Sequence, residues 1–468
     1  AAVDPPALAG AEPEPAADHR YDTVIANGRV IDPESGFDAI AHVGIDGDRI
    51  TAVSLTPLEG NRSIDATDRV VAPGFIDILS YDPNGYGEWF KIAEGVTTNL
   101  GMHGIDGDAA TFFQTVGQLG SPCHYGGAYD APSRRFSVCQ LEPGDEASPE
   151  QLDQLVADAT AQLAAGWIGL DLEPEYTFAA TYEELRRLAE VAAGAGVAVY
   201  VHGRYSDDVA PGTNAETLTE ILQLARDTGC AVHVEHLIST GGTFTMAASL
   251  ATLDAAAAEG LDITACMYPY DFWATYLGSA RFAEGWQERF HIGYGDLVVA
   301  GTGERLTEAT FADRQADNLL VAAYGIPPAD VVTCLRSPLV MIGSDAILEP
   351  SNNNHPRAAG CFSRVLGRYV REEGVLGLPE ALAKMTIMPA RRLQGAAPAM
   401  ARKGRLQRGA DADVVVFDPA TVADRATVAD PAQEATGFDW VVVAGAVVRT
   451  LDGNDQTQRP GRAITGAV

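Results

Sequence analysis

Eight short apolar runs, APGFIDILS, VTTNLGM, PCHYGGAY, WIGLDLE, AVYVHGRY, AVHVEHLIS, ITACMYPY and LVMIGSDA, recur between Ala72 and Ala346, separated by Ala/Leu/Glu-rich stretches. Runs this short and this apolar suit strands covered on both faces, and their alternation with helical segments is the pattern of a parallel sheet. Three of the intervening stretches, SPEQLDQLVADATAQLAAG, TYEELRRLAEVAAGAG and AETLTEILQLARDTG, end at glycine, the residue that most readily closes a helix. Eight strand–helix units predict a (β/α)8 TIM barrel, with an open doubly wound sheet as the alternative. The stretch 271–333 reads as an elaborated loop after the seventh strand.

The flanks differ in character. Residues 21–71 and 396–453 read as short strands with tight turns, with Asn27-Gly28 and Asp46-Gly47 as hairpin signals. The division is therefore a leader (1–20), two β segments (21–71 and 396–453), a barrel (72–395) and a tail (454–468). The leader is a Pro/Ala/acid tract expected to lack structure. It reads either as the remnant of a cleaved signal peptide, which would make the protein secreted or periplasmic, or as a cytoplasmic chain trimmed at its start. Cys123 and Cys139 are candidates for a disulfide if the protein is exported. A net charge of −32 argues against nucleic acid and anionic membrane as partners, and no apolar run has the length of a membrane span. A small molecule remains the expected partner, and a homodimer is compatible with the sequence.

Five polar residues stand where an apolar run stops: His103, Glu173, His202, His236 and Asp345. The carboxyl ends of barrel strands converge on one mouth, where catalytic groups collect. Three imidazoles with one or two carboxylates suit one borderline divalent ion such as Zn²⁺.

Beyond these residues, the chain carries VVAPGFID before the first run, EGVTT at the second, His202-Gly203-Arg204, YPY at 268–270, GSD at 343–345, HPRAAGCFSRVLGRYVRE from His355, KMTIMPARRL and GRLQRGADADVVVFD. With these motifs it resembles the amidohydrolase superfamily and, within it, the D-aminoacylase (N-acyl-D-amino-acid deacylase) branch, over about Tyr21 to Gly453. The resemblance implies that the terminal β segments pair as a small β-sandwich. It also implies that the tightly held metal sits on His103, His202 and His236, with His103 where the family has cysteine, and that Asp345 moves protons between water and the leaving amine. The family's His-x-His after APGFID, which holds a second metal, is replaced by Leu79 and Tyr81. No lysine lies between Lys91 and Lys384 to bridge two metals as a carbamate. The expectation is a single-metal centre with Glu173 as an added ligand, Asp171 being the other candidate, and with Leu79 and Tyr81 lining the pocket floor.

The family's carboxylate-binding lysine is Ile238 here. Arg204, Tyr268, His355, Arg357 and Tyr81 are left as candidate substrate contacts, and DFWATYL as an apolar pocket wall or core. The leading expectation is hydrolysis of the C–N bond of an N-acyl amino acid or related amide. The alternatives are non-hydrolytic chemistry (cyclisation, condensation or lyase) on the same barrel, and a catalytically inactive binding protein.

Overall fold

The structure is a computed structural model that describes residues 4–11, 14–16, 18–351 and 354–466. All eight apolar runs supply strands of one parallel sheet, hydrogen-bonded in chain order. They are Phe75–Asp77, Val96–Ile105, His124–Asp130, Gly169–Leu172, Ala198–Val201, Val232–Val234, Ile263–Met267 and Val340–Ile342. The last strand meets the first through the Asp345 amide, which donates to Leu79 O at 2.7 Å, and the Ser344 amide, which donates to Asp77 Oδ1 at 2.9 Å. The fold is a (β/α)8 barrel.

Local chemistry explains the helices. Ser148 and Thr213 form capping boxes at the starts of Pro149–Ala164 and Asn214–Thr228, and Thr181 caps Tyr182–Ala195. Gly196 and Gly229 close two of them at φ +71° and +67°, a conformation open to glycine without strain.

A nine-stranded sheet joins the two ends of the chain as the small β-sandwich. Its junction is Val70–Pro73, which pairs antiparallel with Val414–Phe417. Ile25, Val43, Ile64, Val71, Val414 and Val442 share its core. Of the two hairpin signals, only Asp46-Gly47 makes a turn, joining Phe37–Asp46 to Arg49–Ser54. Asn27-Gly28 instead sits in a bulge inside Arg20–Asp32, where Asn27 has φ +64° and a Cβ on Gly28 would fall 2.4 Å from Val71 Cγ2. Within the tract read as an unstructured leader, the Leu8 amide donates to Arg408 O and His19 Nε2 lies 2.9 Å from Asp46, so the described part lies against the sandwich.

The stretch after the seventh strand is more than a loop. Trp273–Tyr276, Leu297–Val299 and Leu320–Ala323 form a separate antiparallel sheet packed with Phe282, Trp286, Phe290 and Phe311, and Pro328–Leu335 is the helix that leads into the eighth strand. Cys123 and Cys139 are both buried and free; Cys123 Sγ faces Val96 O while Cys139 Sγ faces Gln151 O. Among the described residues no helix is long and apolar enough to cross a membrane.

The seam between first and last strands holds a fully buried cation. Lys91 Nζ donates to Asp77 Oδ2 at 2.8 Å and to Ser344 Oγ at 2.7 Å. Removing one member of a buried pair leaves the other charge uncompensated. Lys91→Met is expected to lose about 3–5 kcal/mol of stability, read as a lower urea midpoint; an unchanged midpoint would show that the seam does not depend on this cation.

Candidate metal centre

Three strand ends converge at the barrel mouth. His103 lies in the bulge that shifts register between Gly101 and Ile105, His202 directly follows Ala198–Val201, and Glu235 and His236 follow Val232–Val234. One ligand atom from each of His103, His202, Glu235 and His236 lies within 4.8 Å of all the others. A second group, His103 with Asp171 and Glu173, meets the same criterion. Glu173 thus joins His103, whereas the carboxylate that completes the three-histidine group is Glu235. The sequence offered a signal for it, two polar residues in succession where VHV ends, but only the histidine was singled out.

Tautomers can be assigned from the partners of the outer ring nitrogens. His202 Nε2 lies 2.6 Å from Glu175 Oε2, and His236 Nδ1 lies 3.3 Å from Thr240 Oγ1. A proton on each of those nitrogens leaves lone pairs on His202 Nδ1 and His236 Nε2, which face each other at 3.1 Å. Burial first of all lowers the pKa of both rings, well below the usual histidine range for His236, and so favours the neutral forms that ligate metal. Neighbouring ligand atoms on a tetrahedral zinc stand about 3.3 Å apart. His103 Nδ1 approaches Glu235 Oε2 to 2.8 Å, yet among the described residues that nitrogen and both Glu235 oxygens have no aligned hydrogen-bond partner. Close but misaligned donors around one point are what a cation would bring together, so the residues fit a divalent ion.

The charges around this point differ. Burial pushes Glu235 up to about 7 against the pull of His103. It also drives Asp171 and Glu173 well above the carboxylate range. For His103 burial acts in the opposite sense, but Glu173 and Glu235 outweigh it and raise its pKa well above the usual histidine range. Glu175 resists the upward push of burial because Arg281 and then the His202 hydrogen bond hold it down at about 2.

Asp345 overlooks the cluster, 3.8 Å from His103 Nε2 and 3.9 Å from His236 Nε2. It sits at φ +52°, a left-handed conformation that aspartate tolerates. Tyr81 donates to its Oδ1 at 3.0 Å, and Arg357 Nη2 lies 2.7 Å from its Oδ2. Together these residues line a cavity of about 450 Å³ whose wall includes Tyr268, His355 and the Trp273–Tyr276 strand.

Several expected substrate contacts are already committed. Arg204 lies outside the cavity lining, tied to Glu220 at 3.0 Å and to the Phe178 and Ala180 carbonyls. His355 accepts from the Arg357 amide at Nδ1 and meets Phe272 O at Nε2, so both nitrogens serve the backbone. Arg357 clamps Asp345 by its side chain and its carbonyl and stacks over Tyr268. Leu79 is fully buried, packed where a Cβ on Gly343 would fall 2.8 Å away, so of the two replaced positions only Tyr81 reaches the cavity. Arg281, which no sequence pattern marks, enters from the inserted segment, reaches Glu175 at 3.1 Å and lies over Trp273.

Residues 93–449 match the Amidohydrolase family, and the chain belongs to it. It is an enzyme of the kind that acts on carbon–nitrogen bonds other than peptide bonds, and its relatives place it in the D-aminoacylase branch. It is 32% identical to the N-acyl-D-glutamate deacylase of Alcaligenes xylosoxydans xylosoxydans, covering 95% of this chain and 96% of that one, and 29% identical to the D-aminoacylase of the same organism, covering 92% and 94%. Among solved structures, the N-acyl-D-glutamate deacylase of Bordetella bronchiseptica, complexed with zinc and a phosphonate inhibitor, superposes with a TM-score of 0.82 at 28% identity, covering 95% of this chain and 100% of that one. A D-aminoacylase superposes at 0.83 with 26% identity, covering 96% and 100%.

Partners that orient a ligating histidine typically contribute 10–100-fold to metal affinity. Glu175→Gln is expected to weaken zinc retention by about that factor in competition with a chromophoric chelator; retention equal to the parent would remove Glu175 from the centre.

Proposed function

We propose that this enzyme is an N-acyl-D-amino-acid deacylase with one catalytic divalent cation, zinc, held by His103, His202, His236 and Glu235. The observation that carries the reading is the convergence of those four ligand atoms within 4.8 Å of one another, below a carboxylate, Asp345, that is not itself one of them. When bound, the cation supplies a Lewis acid for the amide carbonyl and makes water acidic enough to attack near neutral pH.

The remaining work falls to the chain. Asp345 takes a proton from the attacking water and returns it to the departing nitrogen, so that the C–N bond breaks with a neutral amine leaving. Tyr81 and Arg357 each occupy one oxygen of Asp345 and fix its orientation across the cavity. Tyr268 contributes a buried hydroxyl that has no hydrogen-bond partner among the described residues, and Arg281 brings the second guanidinium of the cavity. Both suit the carboxylate of an N-acyl amino acid, in place of the lysine that the family carries where this chain has Ile238. Trp273 and Tyr276 offer an apolar wall for the acyl group or side chain.

The test is a panel of N-acyl-D-amino acids assayed for release of the free amino acid, with zinc content measured alongside. The parent is expected to cleave members of the panel. Asp345→Asn is expected to keep its zinc and lose about 10³-fold in kcat, within the range of general acid–base catalysis. Folded parent protein that takes up no zinc, or an Asp345→Asn variant as active as the parent, would overturn the reading.

A further inference from the structure

Asp345 hangs over the ligand group from a short turn, Gly343 to Ala346, that directly follows the eighth strand, and it does so at φ +52°. Residues other than glycine keep a left-handed conformation when the surrounding contacts over-determine it. Here four successive amides are held. Gly343 N donates to Met267 O at 3.0 Å, Ser344 N to Asp77 Oδ1 at 2.9 Å, Asp345 N to Leu79 O at 2.7 Å and Ala346 N to Ser344 Oγ at 3.2 Å.

Three fully buried side chains supply much of this hold. Ser344 Oγ has its hydrogen-bonding capacity filled: it accepts from Lys91 Nζ at 2.7 Å and from the Ala346 amide, and donates to Asp77 Oδ2 at 2.6 Å. Asp77 is used to the same extent. Its Oδ2 also accepts from Lys91 Nζ at 2.8 Å, and its Oδ1 accepts from the amides of Ser344 and, at 3.3 Å, of Leu79. Leu79 lies two residues before Tyr81, the phenol that donates to Asp345 Oδ1 at 3.0 Å. One carboxylate therefore holds both the backbone that carries Asp345 and the backbone that leads to its partner.

We infer that Lys91, Asp77 and Ser344 are positioning residues for the reaction: they fix Asp345 and Tyr81 relative to the ligand group, although none of the three lines the cavity. The inference rests on the preceding reading for the part Asp345 plays. Without the Ser344 hydroxyl, Lys91, Asp77 Oδ2 and the Ala346 amide each lose a partner next to the residue that moves protons. Misplacement by about 1 Å from a change outside the reacting groups can cost about 10²-fold in rate. The seam thus sets the rate as well as closing the barrel.

The test is Ser344→Ala made in the parent and in Asp345→Asn, each folded and zinc-loaded, and assayed on the N-acyl-D-amino acid that the parent cleaves best. In the parent, kcat is expected to fall about 10–100-fold while KM stays within about twofold. In Asp345→Asn the same change is expected to lower the residual kcat by less than about twofold, because a residue that acts through Asp345 has nothing left to place. Equal losses in the two backgrounds, or a folded Ser344→Ala as active as the parent, would overturn the inference. If Ser344→Ala does not fold, Ser344→Cys, close in size and a weaker donor and acceptor, takes its place. A parent that cleaves no N-acyl-D-amino acid overturns the preceding reading instead; the crystal structure of the variant then decides, Asp345 and Tyr81 displaced from each other supporting this inference and both in place overturning it.

Discussion

A buried cluster of carboxyl groups that shares one imidazole, His103, is the constraint around which the mouth of this barrel is organised. Asp171 and Glu235 are each 0% exposed and, among the described residues, neither has a hydrogen-bond partner for its carboxylate, while His103 is the ring that faces both. In the proposed reading a cation completes this cluster, because the desolvation of each buried ion costs about several kcal/mol. On the proposed reading the same cost falls on the unliganded protein, so that metal binding would be coupled to stability, as is common for sites built from buried ligands.

The rest of the barrel keeps its charges paired. Lys91 is matched to Asp77 and Ser344 at the seam, Arg357 to Asp345, and Arg281 to Glu175. In each pair an arginine or lysine fixes a carboxylate: Asp77 at the strand closure, Asp345 over the cavity, and Glu175, which in turn holds the His202 ring. The inserted sheet after the seventh strand is part of this scheme, since it delivers Arg281 to the centre and Trp273 to the cavity wall.

Much of this was legible in the sequence, for identifiable reasons. Buried parallel strands are short and apolar, so a polar residue at the end of one stands out; His103, His202, His236 and Asp345 were visible for that reason. Glu235 was hidden by its neighbour, because one strand end supplies two polar residues and the histidine drew the reading. Glu175 and Arg281 lie in loops, where no periodicity relates a residue to the site it reaches in three dimensions. Arg204 is held away from the cavity lining by Glu220, a helix away in sequence, and strand alternation alone does not say whether Leu79 or Tyr81 meets the cavity. Asn27-Gly28 satisfied the local rule for a turn, but the long strand around it absorbed it as a bulge.

In the proposed centre the catalytic cation rests on the second, fifth and sixth strands, with no ligand from the first. Anomalous diffraction at the zinc edge from crystals of the zinc-loaded enzyme tests it most directly. An anomalous peak bounded by His103, His202, His236 and Glu235 is expected. A peak against Leu79 and Tyr81 instead, or none in contact with His202 and His236, would contradict it.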